Sequence, residues 1–205
     1  MKTKAITAVL LATALLAACS TDAAAPAQDG VPEADLTFVM FPDSLQALVT
    51  KQGSFWAVKG EDRGMILRYQ PEQSGEEGEE FLQFTVPRDA LLKRPDGSPF
   101  AVGDAVQITV QVSDDGRFLF RFSPAGLQFD PDHPARLSVT YRRTEGDLDG
   151  DGTVNQDDQE LQKRLGMWKQ EASGDLWYPV GVLKLDDLEE IEGSITGFTG
   201  FALAG

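Results

Sequence analysis

Between residues 106 and 122 the chain alternates with period two, and that alternation decides what it can fold into. Val106, Ile108, Val110 and Val112 fall on one side of an extended backbone, Gln107, Thr109 and Gln111 on the other. Ser113-Asp114-Asp115-Gly116 supplies an Asp-Gly turn, after which Phe118, Phe120 and Phe122 alternate with Arg117, Leu119 and Arg121. The pattern predicts a β-hairpin, with Gly116 taking the positive φ that tight turns demand. Leu137, Val139 and Tyr141 mark another strand, and Leu82, Phe84 and Val86 an earlier one ended by Pro87. Further strands are expected over 54–58, 65–69, 166–170, 177–183 and 194–203, and an acidic loop over 76–80. Strands with one apolar face bury it best against a second sheet, so the expected fold class is mainly β, an antiparallel β-sandwich. One short helix is expected over 156–165, where Leu161 and Leu165 share a face at i, i+4 spacing. A second is expected over 44–50.

The first 19 residues follow a different logic. Lys2 and Lys4 precede an apolar stretch from Ala5 to Ala18, too short for a permanent span of roughly 20 apolar residues. This is the order of a secretory signal. The stretch closes on Leu16-Ala17-Ala18-Cys19, and Cys19 is the only cysteine. Those four residues resemble the lipobox of bacterial lipoproteins. The resemblance implies lipidation of Cys19, which becomes the first mature residue, and attachment to the cell envelope. Ser20 follows where an Asp would signal retention, so the same resemblance implies the outer membrane.

Without residues 1–19 the chain keeps 16 basic against 33 acidic residues, a net charge of −17. A surface that acidic repels phosphate backbones, so no nucleic-acid partner is expected, and the membrane is met through acyl chains alone. With Cys19 lipidated no disulfide can form. Residues 20–35 read Ala, Pro, Asp, Gly and Glu with few large apolar side chains, a flexible tether. Residues 36–205 then form one domain.

Phe122-Ser123-Pro124-Ala125-Gly126-Leu127-Gln128-Phe129, with Leu137-Ser138-Val139-Thr140-Tyr141 downstream, resembles the β-sandwich domain of ankyrins and netrin receptors. Trp177-Tyr178-Pro179-Val180 and the tail Ile195 to Leu203 extend the likeness over about the last hundred residues. It implies a sandwich with a binding or structural role and carries over no catalytic residue.

One constellation carries chemistry. Asp147-Leu148-Asp149-Gly150-Asp151-Gly152-Thr153-Val154-Asn155-Gln156-Asp157-Asp158 has the spacing of a twelve-residue calcium loop. Calcium is a hard cation that takes six to eight oxygens, supplied in such a loop from positions 1, 3, 5, 7, 9 and 12. Here those are Asp147, Asp149, Asp151, Thr153 through its carbonyl, Asn155 and Asp158, with Gly152 at the sharp sixth position. Val154 is expected to anchor the loop to the core. Without a cation these carboxylates repel one another, so Ca²⁺ is the expected cofactor. The stretch 147–165, with Lys163-Arg164 late in its helix, is similar to one repeat of a dockerin, the module that docks onto cohesins through two such repeats. No helix is expected to enter the loop.

Other candidates are weaker. His133, the only histidine, lies in Asp130-Pro131-Asp132-His133-Pro134 and reads as a solvated turn residue. No Gly-x-Ser-x-Gly, His-Glu-x-x-His or phosphate-cradling glycine loop occurs. Trp56, Trp168 and Trp177 suggest a sugar platform, although aromatics in strands are more often core. A glycosidase would need two acids across a cleft at roughly 5–10 Å. The expected protein is therefore a lipid-anchored, exported, calcium-binding sandwich with no enzymatic activity, binding an unidentified protein or glycan partner. The alternatives are a dockerin-like assembly module and a cell-envelope carbohydrate-active protein.

Overall fold

The computed structural model describes residues 29–41 and 48–205. The expected signal segment, Cys19 and most of the helix expected over 44–50 lie outside the described residues. Among the described residues thirteen strands and one α-helix follow in order: β1 (Gln52–Val58), β2 (Arg63–Arg68), β3 (Glu80–Val86), β4 (Leu91–Lys93), β5 (Ala105–Val112), β6 (Leu119–Ser123), β7 (Gln128–Phe129), β8 (Ala135–Thr140), α1 (Gln156–Arg164), β9 (Gly166–Gln170), β10 (Tyr178–Val180), β11 (Val182–Leu185), β12 (Glu190–Ile195) and β13 (Gly200–Ala204). A six-stranded antiparallel sheet runs β1-β5-β6-β13-β9-β10, and a five-stranded one runs β11-β12-β8-β3-β2. They pack face to face as a sandwich, and β4 pairs with β7 as a small third ladder.

The hairpin forms as the alternation requires: Val110 pairs with Phe122, and Gly116 turns at φ +83°. Ile108, Val110, Phe120 and Phe122 are fully or nearly fully buried. Across the interface Phe84 of β3 meets Phe122 at 5.0 Å and Phe198 at 5.7 Å between ring centroids. Tilted aromatic pairs of this kind tie the two sheets together.

Two expected strands are each two strands in different sheets. Residues 177–183 divide at Gly181, so that β10 joins the six-stranded sheet and β11 the five-stranded one. Residues 194–203 divide between β12 and β13 in the same way. A corner of this kind keeps apolar side chains inward on both sides of the bend, so the hydrophobic pattern runs on unbroken.

The tether expected over 20–35 ends sooner than its composition suggests. Val31 exchanges backbone hydrogen bonds with Trp177 at 2.7 and 2.8 Å, and residues 33–35 form a 3₁₀ turn. Thr37 and Gly205 exchange another pair, and Val39 reaches Leu203 at 2.9 Å. Phe38, Leu119, Trp177, Ala202 and Ala204 form a second apolar cluster under this strap. Its charged clasp is Arg117, which donates to Glu33 at 2.7 Å and to Asp115 at 2.6 Å.

Burial alone would raise the Asp115 carboxyl, but hydrogen bonds from Arg117 and Ser113 outweigh it and hold it at about 2. A depressed folded pKa contributes stability above the unfolded value near 4, and loses it as pH falls toward 2. Asp115→Asn is therefore expected to flatten the fall in melting temperature between pH 4 and 2. The effect is modest, because the Asp115 side chain is 40% exposed. Parallel pH curves for the two proteins would contradict the clasp.

Candidate metal centre

Loop 147–158 sits between β8 and α1, after a 3₁₀ turn at Arg142–Thr144 and without an entering α-helix, as its flanks led one to expect. Gly152 turns at φ +88° in the sixth position. Gly150 is constrained twice, since its φ is +73° and a Cβ there would stand 2.7 Å from the Met40 Cβ. Met40 also donates its backbone N–H to the Leu148 carbonyl at 2.9 Å, so the N-terminal strap touches the loop directly.

Three of the six expected ligands converge. One carboxylate oxygen from each of Asp147, Asp149 and Asp151 lies within 4.8 Å of the others. Asp147 Oδ1 is buried and has no hydrogen-bond partner, a costly state for a carboxylate oxygen unless something else meets it. Its Oδ2 accepts from the Gly152 N–H at 3.0 Å. Burial, and then the charges of Asp151, Asp158 and Asp147, push the Asp149 carboxyl up. Asp151 is lowered instead, chiefly because the Thr153 hydroxyl donates to it at 2.6 Å. Thr153 and Asn155 stand at the rim, where the Asn155 amide donates to Asp151 and to the Thr153 carbonyl, each at 3.3 Å.

Asp158 lies beneath the loop. It is 2% exposed, and its Oδ1 accepts the N–H groups of Leu148 at 2.7 Å and Asp149 at 3.3 Å. Its Oδ2 accepts the Asn155 N–H at 2.8 Å, while Asn155 Oδ1 takes the Asp157 N–H at 2.6 Å. The two residues form a capping box that starts α1, so one carboxylate closes the loop and begins the helix. Leu161 and Leu165 bury the helix face. Lys184 of β11 donates to the Gln162 carbonyl near the helix C-terminus, supplying a donor where the last turn lacks one.

Val154 does not anchor the loop. It is 64% exposed, and Leu148, 2% exposed, takes that part. The second loop position faces the core because Asp158 pulls its N–H inward from one side and Met40 engages its carbonyl from the other.

The triad is all oxygen and triply acidic, which suits a hard divalent cation rather than a soft one. The orphaned Asp147 oxygen and the crowded carboxylates fit such an ion, and Asp147, Asp149 and Asp151 can hold it. The other sequence candidates are scattered. His133 is exposed in its loop, 4.0 Å from Asp130. Trp177 is fully buried, Trp168 donates to the Ala204 carbonyl at 2.9 Å, and Trp56 is exposed. They form no common platform. A cleft of about 420 Å³ on the outer face of the five-stranded sheet contains Glu80 and Glu190, which already accept from Arg68 and Ser138. Set against protein-family models, curated proteins and solved structures, the chain matches none of them.

Proposed function

We propose that this chain is a lipid-anchored binding module of the bacterial cell envelope, a non-enzymatic β-sandwich stiffened by one Ca²⁺ held in loop 147–158. The buried, unpartnered Asp147 oxygen beside Asp149 and Asp151 carries the metal part of this reading. Twelve-residue spacing favours calcium over magnesium, because calcium tolerates a flexible shell of six to eight oxygens, whereas magnesium demands an octahedron and keeps its waters. Thr153 and Asn155 at the rim complete the shell, and Asp158 positions it from below. Titration calorimetry of the full-length protein with Ca²⁺ is expected to give heat for one site per chain. Asp149→Ala with Asp151→Ala should give none. A silent wild type removes the calcium assignment.

The anchor rests on the lipobox-like residues 16–19, and the outer membrane on Ser20. Cys19→Ser is expected to abolish lipid labelling and leave the precursor unprocessed. A variant that is still labelled and still sediments with membranes would contradict the anchor.

A further inference from the structure

The outer faces of the two sheets are chemically different. On the five-stranded sheet, ion pairs are spread across the surface, among them Arg68–Glu80 and Arg136–Glu192. On the six-stranded sheet, β1, β5 and β6 contain no Asp or Glu at all, in a chain with 33 acidic residues. The register places Trp56 opposite Gln107, Ser54 opposite Thr109, and Gln111 opposite Arg121 on that face. Trp56 is 59% exposed and belongs to neither apolar cluster. Its cross-strand neighbour is an amide rather than an aromatic or β-branched residue, so no such neighbour shields its indole in the way that usually stabilises a strand pair.

Several of the polar groups around it are also uncommitted. Among the described residues the side chains of Gln107 and Gln111 make no hydrogen bond, and Arg121 pairs with no carboxylate. The Ser54 and Thr109 hydroxyls bond each other at 2.7 Å. Arg121 extends to within 4.0 Å of the position a Cβ would take on Gly200, so the missing side chain there leaves room beside the guanidinium. With strands about 4.8 Å apart and residues rising about 3.3 Å each, the face from Trp56 to Arg121 extends roughly 10 by 15 Å.

We propose that this face binds a neutral oligosaccharide, with Trp56 as the stacking surface and Gln107, Gln111 and Arg121 as its hydrogen-bonding partners. The charge pattern selects that occupant. A cationic ligand would find no carboxylate on these strands, and an anionic one would meet a single guanidinium on a strongly acidic protein. An apolar peptide would find one indole among amides and hydroxyls. A pyranose ring offers a C–H face for the indole and hydroxyls that both donate and accept, which matches side-chain amides that do the same. The proposal names a partner for the binding module and depends on that reading for its biological role. It does not depend on the metal, since these strands are remote in sequence from loop 147–158.

The test is affinity electrophoresis of the detergent-solubilised full-length protein through gels containing hydroxyethylcellulose, laminarin, xylan or dextran, with alginate as an anionic control. Each gel is run with calcium and with chelator, so that failure of the metal assignment stays separate from failure of this one. Retardation by at least one neutral polysaccharide is expected, unchanged at high salt, together with reduced acrylamide quenching of tryptophan fluorescence. Trp56→Ala should weaken binding at least tenfold with melting temperature unchanged within about 2 °C, as expected for an exposed position. Trp56→Phe should keep part of the affinity, and Gln107→Ala and Gln111→Ala should each lower it severalfold. The proposal is overturned if no neutral polysaccharide retards the wild type, if Trp56→Ala binds equally well, or if alginate is preferred. It is also overturned if Trp56 proves to mediate self-association, with β1 as the pairing edge.

Discussion

Phe84→Ala is expected to destabilise the protein by about 3–5 kcal/mol. Phe84 is completely buried in β3 and touches rings from several elements: Phe55 of β1, Phe122 of β6, Phe129 of β7 and Phe198 ahead of β13. Removing it opens a cavity at the joint between the sheets, where close packing on both sides limits collapse. For a domain of this length, that is roughly 10–15 °C in melting temperature. Val102→Ala, at an 84% exposed site, is the control and should stay within about 0.5 kcal/mol. A Phe84→Ala loss below about 1 kcal/mol would mean that the sheets do not meet through this cluster.

Asp158→Ala should cost roughly 2–4 kcal/mol and abolish metal binding as well. The carboxylate receives the N–H groups of Leu148, Asp149 and Asn155 in a buried setting, and its removal leaves them without an acceptor. It also removes half of the capping box, so the first turn of α1 frays. Asp158→Asn keeps the shape and one acceptor oxygen but sets an amide N–H₂ against a backbone N–H, so it should fall between wild type and Ala. Melting in chelator isolates this structural part, because no metal contributes there. If Asp158→Ala melts within about 2 °C of wild type in chelator, Asp158 is not the latch that closes the loop.

The hairpin was legible because its alternation, its Asp-Gly turn and its length all agree. The two sheet switches were not, since period-two patterning says which side chains share a face and nothing about which sheet owns it. Gly181 was the one local hint, at the break between β10 and β11. The short β4 and β7 strands carry too few residues to show a period. The first part of the strap was hidden by its composition: before residue 36 only Val31 and the salt-bridged Glu33 tie it down, and both depend on partners far along the chain. In loop 147–158 the odd-position aspartates were readable from spacing alone. The exchange of Leu148 for Val154 as the anchor was not, because it depends on Asp158 lying below the loop and on Met40 reaching it from the strap. Trp56 stood out as an aromatic in a strand, but only its exposure in the folded chain shows that it points away from the core, with Gln107 opposite it.

A cation held by Asp147, Asp149 and Asp151 is expected to stabilise the native sandwich. The most direct measurement compares thermal melting of the full-length protein in chelator and in 1 mM Ca²⁺, for wild type and for Asp149→Ala with Asp151→Ala. With a dissociation constant of about 10⁻⁴–10⁻³ M, typical of extracellular calcium modules, the wild type should gain about 0.4–1.4 kcal/mol, a rise of a few degrees. The double variant should melt at the same temperature in both buffers. A wild type that does not respond to calcium would mean that no stabilising ion binds, and a double variant that responds by the same amount would place the ion outside this loop.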